Sequence, residues 1–184
     1  MVEKKQDIDE IRRVLEDMRQ EYWESLEEVE SAAEESREFL IFRLGKERFG
    51  IAAEAVREVV RMPARLVPVP KVAAHIRGVF NLRGQILAVT DLGCLLGLSA
   101  SAIGSTVRLV VVEAAGLNTA LLAEKVEGLR RIASADIEPL TSGLGDFPRE
   151  DAEGQVVETS GLVVLLNLER IFTHPDFVVN EKID

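Results

Sequence analysis

The sequence predicts a mainly β fold in which two small barrels share one chain and follow an amphipathic helix. Beyond residue 37, apolar runs of strand length alternate with Gly, Pro and Asn turn signals about every ten residues, as in small barrels or sandwiches. The β-type region is too long for one small barrel, and it lacks the helical crossovers that parallel strands need. The chain has 184 residues, and at this size it can bury roughly 70% of its unfolded surface. A core can therefore form without disulfides.

The first 37 residues are predicted to be a separate acidic helix. Residues 1–38 contain 14 acids and six bases, whereas the rest of the chain carries a net charge of only −2. Apolar residues recur at heptad spacing, and Ser25 occupies the one weak seam position. The seam residues are Ile8, Ile11, Leu15, Met18, Tyr22 and Val29. The helix either packs on its own domain or forms a coiled coil with a second copy or a partner.

Two hairpins are predicted in the first half of the β region. FLIFRLG and FGIA flank the polar turn GKER and form the first hairpin. VAAHIRGVF and QILAVTDL flank a tight, exposed turn at NLRG (81–84), where Asn and Gly suffice to reverse the chain. Between the hairpins, AEAVREVV (53–60) fits a short helix or a bulged strand. MPARLVPVP is expected to be extended at an edge, because proline withholds a donor. Arg77 is interpreted as a solvated cation.

In the second half of the β region, strand-length apolar runs again alternate with turn signals. GLSASAIGST (97–106) is interpreted as a linker between the two barrels. Residues 105–114 and 117–133 are predicted to be paired strands around the turn AAGLN. Residues 134–156 form a looser segment with at most one strand, since Gly and Pro recur there. QVVETSGLVVLLNLERIF then gives a last hairpin that runs into a short helix at Leu168–Phe172.

The composition disfavours several classes of function. A net charge of −10 opposes binding to nucleic acid or insertion at an anionic membrane, since both require a cationic field. No apolar run approaches the roughly 18 to 20 residues that cross a bilayer, so a cytoplasmic protein is expected. His75 and His174 lie outside any catalytic motif, and Cys94 is expected to be a small buried apolar residue. We therefore expect no enzyme activity, no cofactor and no metal.

Three segments resemble the CheW family of chemotaxis coupling proteins. IRGVFNLRGQILAVTDL (76–92) carries the Gly-x-x-Asn-Leu-Arg-Gly run of that family and the Asp-Leu that closes the next strand. FLIFRLGKERFGIAAEAVREVV precedes this run and GLVVLLNLERIF follows it, in the order and spacing of the family. The resemblance covers about residues 38–173, which is nearly everything except the acidic helix.

The resemblance implies two SH3-like five-stranded β-barrels around a shared core, and a protein without catalytic activity. It implies an adaptor that couples chemoreceptors (methyl-accepting chemotaxis proteins) to the regulatory domain of a CheA-type histidine kinase, and that is recruited to membrane receptor arrays. We accordingly divide the chain into the acidic helix (1–37), a CheW-like domain (38–175) and a C-terminal tail (176–184).

The resemblance also implies a groove between the barrels, in which the helical hairpin tip of the receptor docks. Matched by position, its residues are Val56, Glu58 and Val59 from the first barrel, Gly78, Asn81, Leu82 and Arg83 from the NLRG hairpin, and Leu129 from the second barrel. Two roles are compatible with the Arg83 guanidinium: contact with a partner, or hydrogen bonds to the turn carbonyls of its own chain.

Four residues depart from the family pattern. Ala88 stands where Pro is usual, Gly93 where Arg is frequent, and Glu124 and Asn167 where Asp is common. A coupler of pilus motility, development or biofilm formation is therefore an alternative to one of swimming. Two different classes of protein also fit the sequence: an assembly protein that dimerises through the N-terminal helix, and an enzyme whose site is dispersed along the chain.

Overall fold

A computed structural model describes residues 18–19, 35–98, 104–141 and 148–174. The chain divides into two compact units, Met1–Arg37 and Glu38–Asp184. The predicted N-terminal helix lies outside the described residues except for Met18 and Arg19, which are helical. The predicted C-terminal tail also lies outside the described residues.

The described strands form two five-stranded sheets, which confirms the predicted mainly β fold. The first sheet, called the terminal barrel, has the order β8-β1-β2-β10-β9, and the second, called the central barrel, has the order β3-β6-β7-β5-β4. The strands are β1 (Ser36–Leu44), β2 (Glu47–Ala52), β3 (Val56–Arg61), β4 (Ile76–Leu82), β5 (Gln85–Thr90), β6 (Arg108–Ala114), β7 (Leu117–Ala123), β8 (Lys125–Ala133), β9 (Ala152–Glu158) and β10 (Gly161–Leu166). Two short α-helices accompany them, α1 (Leu92–Leu95) and α2 (Leu168–Thr173).

The predicted hairpins are all present. β1 pairs with β2, β4 with β5, β6 with β7 and β9 with β10, each antiparallel. Both structures considered for residues 53–60 occur in part, since a 3-10 turn at Ala53–Ala55 precedes β3, which has a register shift between Val56 and Glu58. The proline-rich segment lies at an edge as predicted, because Val67 makes an isolated bridge with Val79 of β4.

The predicted assignment of barrels along the chain is wrong. The chain passes from the terminal barrel to the central barrel at Ala53–Ala55 and returns at Glu124, so the strands of one barrel come from both ends of the chain. Residues 97–106 therefore do not link the barrels, because β5 and β6 on either side both belong to the central one. The apolar run 117–133 is two strands, interrupted at Glu124, whose backbone N–H donates to the carbonyl of Arg43 over 3.1 Å.

Burial on both faces explains the long apolar runs. In β1, Leu40 and Phe42 enter a core shared by both barrels, whereas Phe39 and Ile41 enter the core of the terminal barrel. Strand β6 alternates in the same way between the shared core and the core of the central barrel. A strand with two buried faces loses the apolar and polar alternation of a surface strand. The sequence pattern therefore indicates a strand without indicating the barrel to which it belongs.

An ion-pair network joins the two edge strands of the terminal barrel. Arg48 on β2 is only 5% exposed, and its Nη2 lies 2.7 Å from Oε2 of Glu127 on β8 and 2.9 Å from Oε2 of Glu158 on β9. Arg43 also donates to Glu127. The hydrogen bond from Arg48 holds the pKa of Glu127 below its ordinary value. The network connects β8 to β9 through the middle of the sheet and fixes β8 two residues before Leu129.

Candidate functional site

The NLRG hairpin turns at Arg83 and Gly84. Both residues have positive φ, +53° and +92°, and they form a two-residue loop between β4 and β5. Asn81 lies in β4 rather than at the turn, and its Oδ1 accepts a hydrogen bond from the backbone N–H of Gly84 over 2.7 Å. Asn, Asp or Gly is the usual residue at the first position of such a turn, because other side chains are strained there. Arg83 is therefore a residue that the turn itself does not favour.

The Arg83 guanidinium pairs with a carboxylate of its own chain. Its Nη2 lies 2.9 Å from Oε2 of Glu58 on β3, while 79% of the arginine side chain and 29% of the glutamate side chain remain exposed. β3 and β4 are the two edges of the central sheet, so the pair connects both edges. Of the two roles considered for Arg83, hydrogen bonding to turn carbonyls does not occur within the described residues. The guanidinium is anchored at one oxygen and otherwise faces solvent.

Gly78 has a structural role at the same edge. Its φ is +138°, and an added Cβ would lie 2.7 Å from the carbonyl oxygen of Val67. The neighbouring residue Val79 exchanges two backbone hydrogen bonds with Val67, of 2.9 and 2.8 Å. Glycine is therefore required here because the proline-rich segment approaches the backbone of β4 closely.

The remaining predicted groove residues divide into two groups. Val56 packs against the shared core and Leu82 against the core of the central barrel. Val59 is 41% exposed and Leu129 is 55% exposed. Leu129 lies on β8 of the terminal barrel and shares neither strand nor sheet with the other seven residues. The structure thus brings Glu58 to Arg83, gives Gly78, Asn81, Val56 and Leu82 internal contacts, and leaves Val59 and Leu129 at the surface.

Asp91, the Asp of the Asp-Leu pair, has a structural role, and the interpretation of Arg77 is wrong. The Asp91 side chain is fully buried, caps α1 by accepting from the N–H of Cys94, and lies 3.4 Å from Nη1 of Arg77. Arg77 is therefore an ion-pair partner rather than a solvated cation. Cys94 is half-buried within α1 rather than enclosed in a core. An Asp directly before a short apolar run is a helix N-cap signal that would have predicted α1.

All four departures from the family pattern lie within the folded domain, and one of them, Asn167, has a side-chain role. The carbonyl of Ala88 accepts from the Thr119 hydroxyl, and Gly93 is buried in α1. Glu124 lies at the crossover between the barrels. Asn167 caps α2, since its Oδ1 accepts from the backbone N–H of Arg170 over 3.1 Å. Asn and Asp are comparable N-caps, so this substitution preserves the local fold.

The chemistry available in the described residues is limited. No group of three or more His, Cys, Asp or Glu side chains in the described ranges is placed to hold a metal ion. Within those ranges no helix has the length and apolar character to span a bilayer. A cavity of about 170 Å³ lies beside α1 and α2, where Asp151 and His174 meet Leu95 and Ile171. Burial raises the pKa of Asp151.

Comparisons with known proteins agree with this architecture. A family model, described as the CheW-like domain, matches residues 38–176. The chain is 39% identical over 136 residues to Protein FrzA of Myxococcus xanthus, covering 74% of this chain and 83% of the relative. It is 31% identical over 138 residues to Chemotaxis protein CheW of Rhizobium meliloti, covering 74% of this chain and 87% of the relative.

A solved structure supports the fold. The crystal structure of scaffolding protein TtCheW from Thermoanaerobacter tengcongensis matches with a TM-score of 0.67 at 24% identity, covering 76% of this chain and 90% of that one. At this identity the likeness shows the fold alone, which is the predicted pair of five-stranded barrels. The family model and the two relatives show more: this chain belongs to the family of CheW-like domains.

Proposed function

We propose that this chain is a non-catalytic adaptor that couples chemoreceptors to a CheA-type histidine kinase. Its family and its relatives support an adaptor in chemotaxis-type signalling. The observation that carries the receptor half of the proposal is the division of the predicted groove residues into internal and external ones. Val59, Arg83 and Leu129 are 41%, 79% and 55% exposed, although two of them are large apolar residues. The side chains of these three residues, which the resemblance matches to the receptor groove, are accessible to a partner.

The chemistry of these three side chains suits the tip of a helical hairpin. Val59 and Leu129 offer apolar contact to the apolar stripe of a helix, which is a common mode of recognition. Arg83 offers a planar set of donors to a carboxylate or to exposed carbonyls. Glu58 holds one side of that guanidinium and restricts its orientation. Part of the entropy cost of fixing a long side chain is therefore met before the receptor binds.

The test measures binding of a receptor cytoplasmic tip and of the kinase regulatory domain separately. Arg83→Ala and Val59→Asp should weaken binding of the tip. Arg170→Ala is the matched control, because Arg170 is an exposed arginine that donates to the carbonyl of Glu150 on another part of the domain. Normal binding of the tip by both groove variants, in folded protein, would refute the groove. Failure of the wild-type protein to bind the kinase domain would refute the adaptor role.

In this proposal the N-terminal segment is accessory to the coupling function of the CheW-like domain. Its heptad pattern is compatible with self-association, which would make the chain an assembly protein. Deleting residues 1–36 separates the two cases: kinase and receptor coupling should survive if the CheW-like domain is the functional part. Loss of coupling with the domain still folded would instead assign the function to the segment. Recruitment of the protein to membrane receptor arrays is part of the same proposal, and imaging of the full-length and truncated proteins would test it.

A further inference from the structure

Two arginines face each other across the β3-β6 pair of the central barrel. Arg61 is the last residue of β3, and its partner in the antiparallel register is Arg108, the first residue of β6. Side chains of directly opposed residues lie on the same face of a sheet, about 5 Å apart at Cβ. Two like charges at such a position repel each other and reduce the stability of the pair. The arrangement stands out in a protein whose net charge is −10.

No carboxylate of the described residues neutralises these arginines. Arg61 is exposed and makes no hydrogen bond or ion pair within the described ranges. Arg108 donates from Nη1 to the carbonyls of Ser105 and Val107, over 3.0 and 2.8 Å. These two bonds orient its guanidinium and leave Nε and Nη2 available to donate, as far as the described part of the chain is concerned. By contrast, Arg57, four residues before Arg61, is paired with Glu113 over 3.0 Å.

The two arginines line an open surface depression. Its volume is about 220 Å³, and its walls are Arg61, Met62, Gly104, Ser105, Val107 and Arg108. This set contains two cations, one hydroxyl and no acid. The depression is open to solvent, so a phosphoryl group can reach both guanidinium groups from outside. A dianion with several oxygens is the ligand that two guanidinium groups bind best, because each can donate two N–H groups to it.

We propose that Arg61, Arg108 and Ser105 form a binding site for a phosphoryl dianion. The guanidinium groups donate to the phosphoryl oxygens, and the Ser105 hydroxyl supplies a further donor. Binding removes the repulsion between the arginines and therefore stabilises the β3-β6 pair. The dianion belongs either to a small phosphate ester in solution or to a phosphorylated side chain of a partner protein. The site does not depend on the adaptor function.

The experiment uses the full chain and compares anions at constant ionic strength. With 10 mM inorganic phosphate at pH 8, we expect the melting temperature to exceed that in chloride by about 3 to 5 °C, if the dissociation constant is about 1 mM. Arg61→Ala and Arg108→Ala should each abolish the difference. Arg57→Ala should retain it, because that arginine already has a carboxylate partner. No difference between phosphate and chloride, or the same difference in an Arg61→Ala/Arg108→Ala double variant, would refute the site.

Two further measurements test the charge of the ligand and its source. Sulfate remains a dianion at pH 5.5, whereas phosphate becomes mainly a monoanion, since its second pKa is about 6 to 7. Stabilisation by phosphate should therefore weaken at pH 5.5 while stabilisation by sulfate persists; equal behaviour of the two anions would contradict recognition of a dianion. A phosphoserine peptide that binds at least tenfold more tightly than inorganic phosphate would assign the site to a partner protein. Equal affinity would assign it to a small phosphate.

Discussion

Replacing Arg83 with alanine should weaken receptor binding far more than it lowers the stability of the domain. The pair with Glu58 is the one polar contact of the Arg83 side chain within the described residues, and the arginine is 79% exposed. Exposed ion pairs contribute about 0.2 to 1 kcal/mol. Alanine also has a Cβ, so the strain of a φ of +53° is present in both proteins and cancels in the comparison. The free energy of unfolding should thus fall by less than about 1 kcal/mol.

Glycine at the same position separates strain from pairing. Arg83→Gly loses the same ion pair but relieves a left-handed conformation that costs an L-residue roughly 1 kcal/mol or more. Its free energy of unfolding should therefore equal or exceed that of Arg83→Ala. The loss of binding free energy should be larger than the loss of stability, because truncating one partner of a charge contact buried at an interface costs about 2 kcal/mol or more. That cost corresponds to a loss of about thirtyfold in affinity.

Urea denaturation and titration with the receptor tip measure the two quantities on the same samples. A double-mutant cycle that combines Arg83→Ala with Glu58→Gln gives the coupling energy between Arg83 and Glu58. A fall in the free energy of unfolding of more than about 2 kcal/mol in both Arg83→Ala and Arg83→Gly would contradict a weak structural role for Arg83. Arg83 would then be an internal support of the hairpin. Unchanged affinity in a folded Arg83→Ala protein would separately contradict its role in recognition.

Three further changes test the structure around the site. Gly78→Ala should lower the free energy of unfolding by at least about 2 kcal/mol, because its Cβ would lie 2.7 Å from the Val67 carbonyl oxygen; Gly84→Ala, whose Cβ meets nothing within 4 Å, should cost only the strain of its positive φ. Both are measured by urea denaturation. Glu127→Gln should cost about 1 to 3 kcal/mol at pH 7, because it removes one charged partner of the buried Arg48 while the pair between Arg48 and Glu158 remains. Since the pKa of Glu127 is lowered by folding, its contribution is present above the unfolded pKa and is lost as the pH falls through the folded pKa, so the difference in stability between variant and wild type should shrink as the pH falls through that range. Asn167→Ala should cost about 1 kcal/mol while Asn167→Asp keeps the cap, and thermal unfolding of the two variants distinguishes these outcomes.

The sequence predicts local structure well because local chemistry determines it. The NLRG hairpin requires a tight reversal between two β-prone runs, and Gly84 meets that requirement at a φ of +92°. The short helix α2 follows from Asn167 and an apolar run. Asp91 before an apolar run carries the same local signal for α1, although the pattern of β-type runs does not predict that helix. Local patterns therefore predict the hairpins and are sufficient to predict both short helices.

The distribution of strands between the barrels is not predictable from local patterns. Residues 117–133 form one β-prone run, yet β7 and β8 belong to different barrels. The break at Glu124 depends on a backbone bond to Arg43, far away in sequence. The ion pairs also join residues that are distant in sequence. Glu58 and Arg83 are 25 positions apart, and Arg48 and Glu127 are 79 apart. Periodicity indicates which residues are buried, but it does not indicate which distant side chains meet.

A motif matched by position does not distinguish residues that the local fold requires from residues whose exposed side chains contact a partner. In this chain Gly78 is required by the close approach of Val67 to β4, and Asn81 accepts a hydrogen bond from the N–H of Gly84 in the turn. Arg83 differs, since the turn would be less strained with Asn or Gly at its position. We propose that a requirement outside the hairpin explains the arginine at this strained and exposed position, where Glu58 holds one side of the guanidinium. Substitutions at Arg83, Val59 and Leu129 should therefore alter partner choice with little effect on stability, whereas substitutions at Gly78 should alter the fold first.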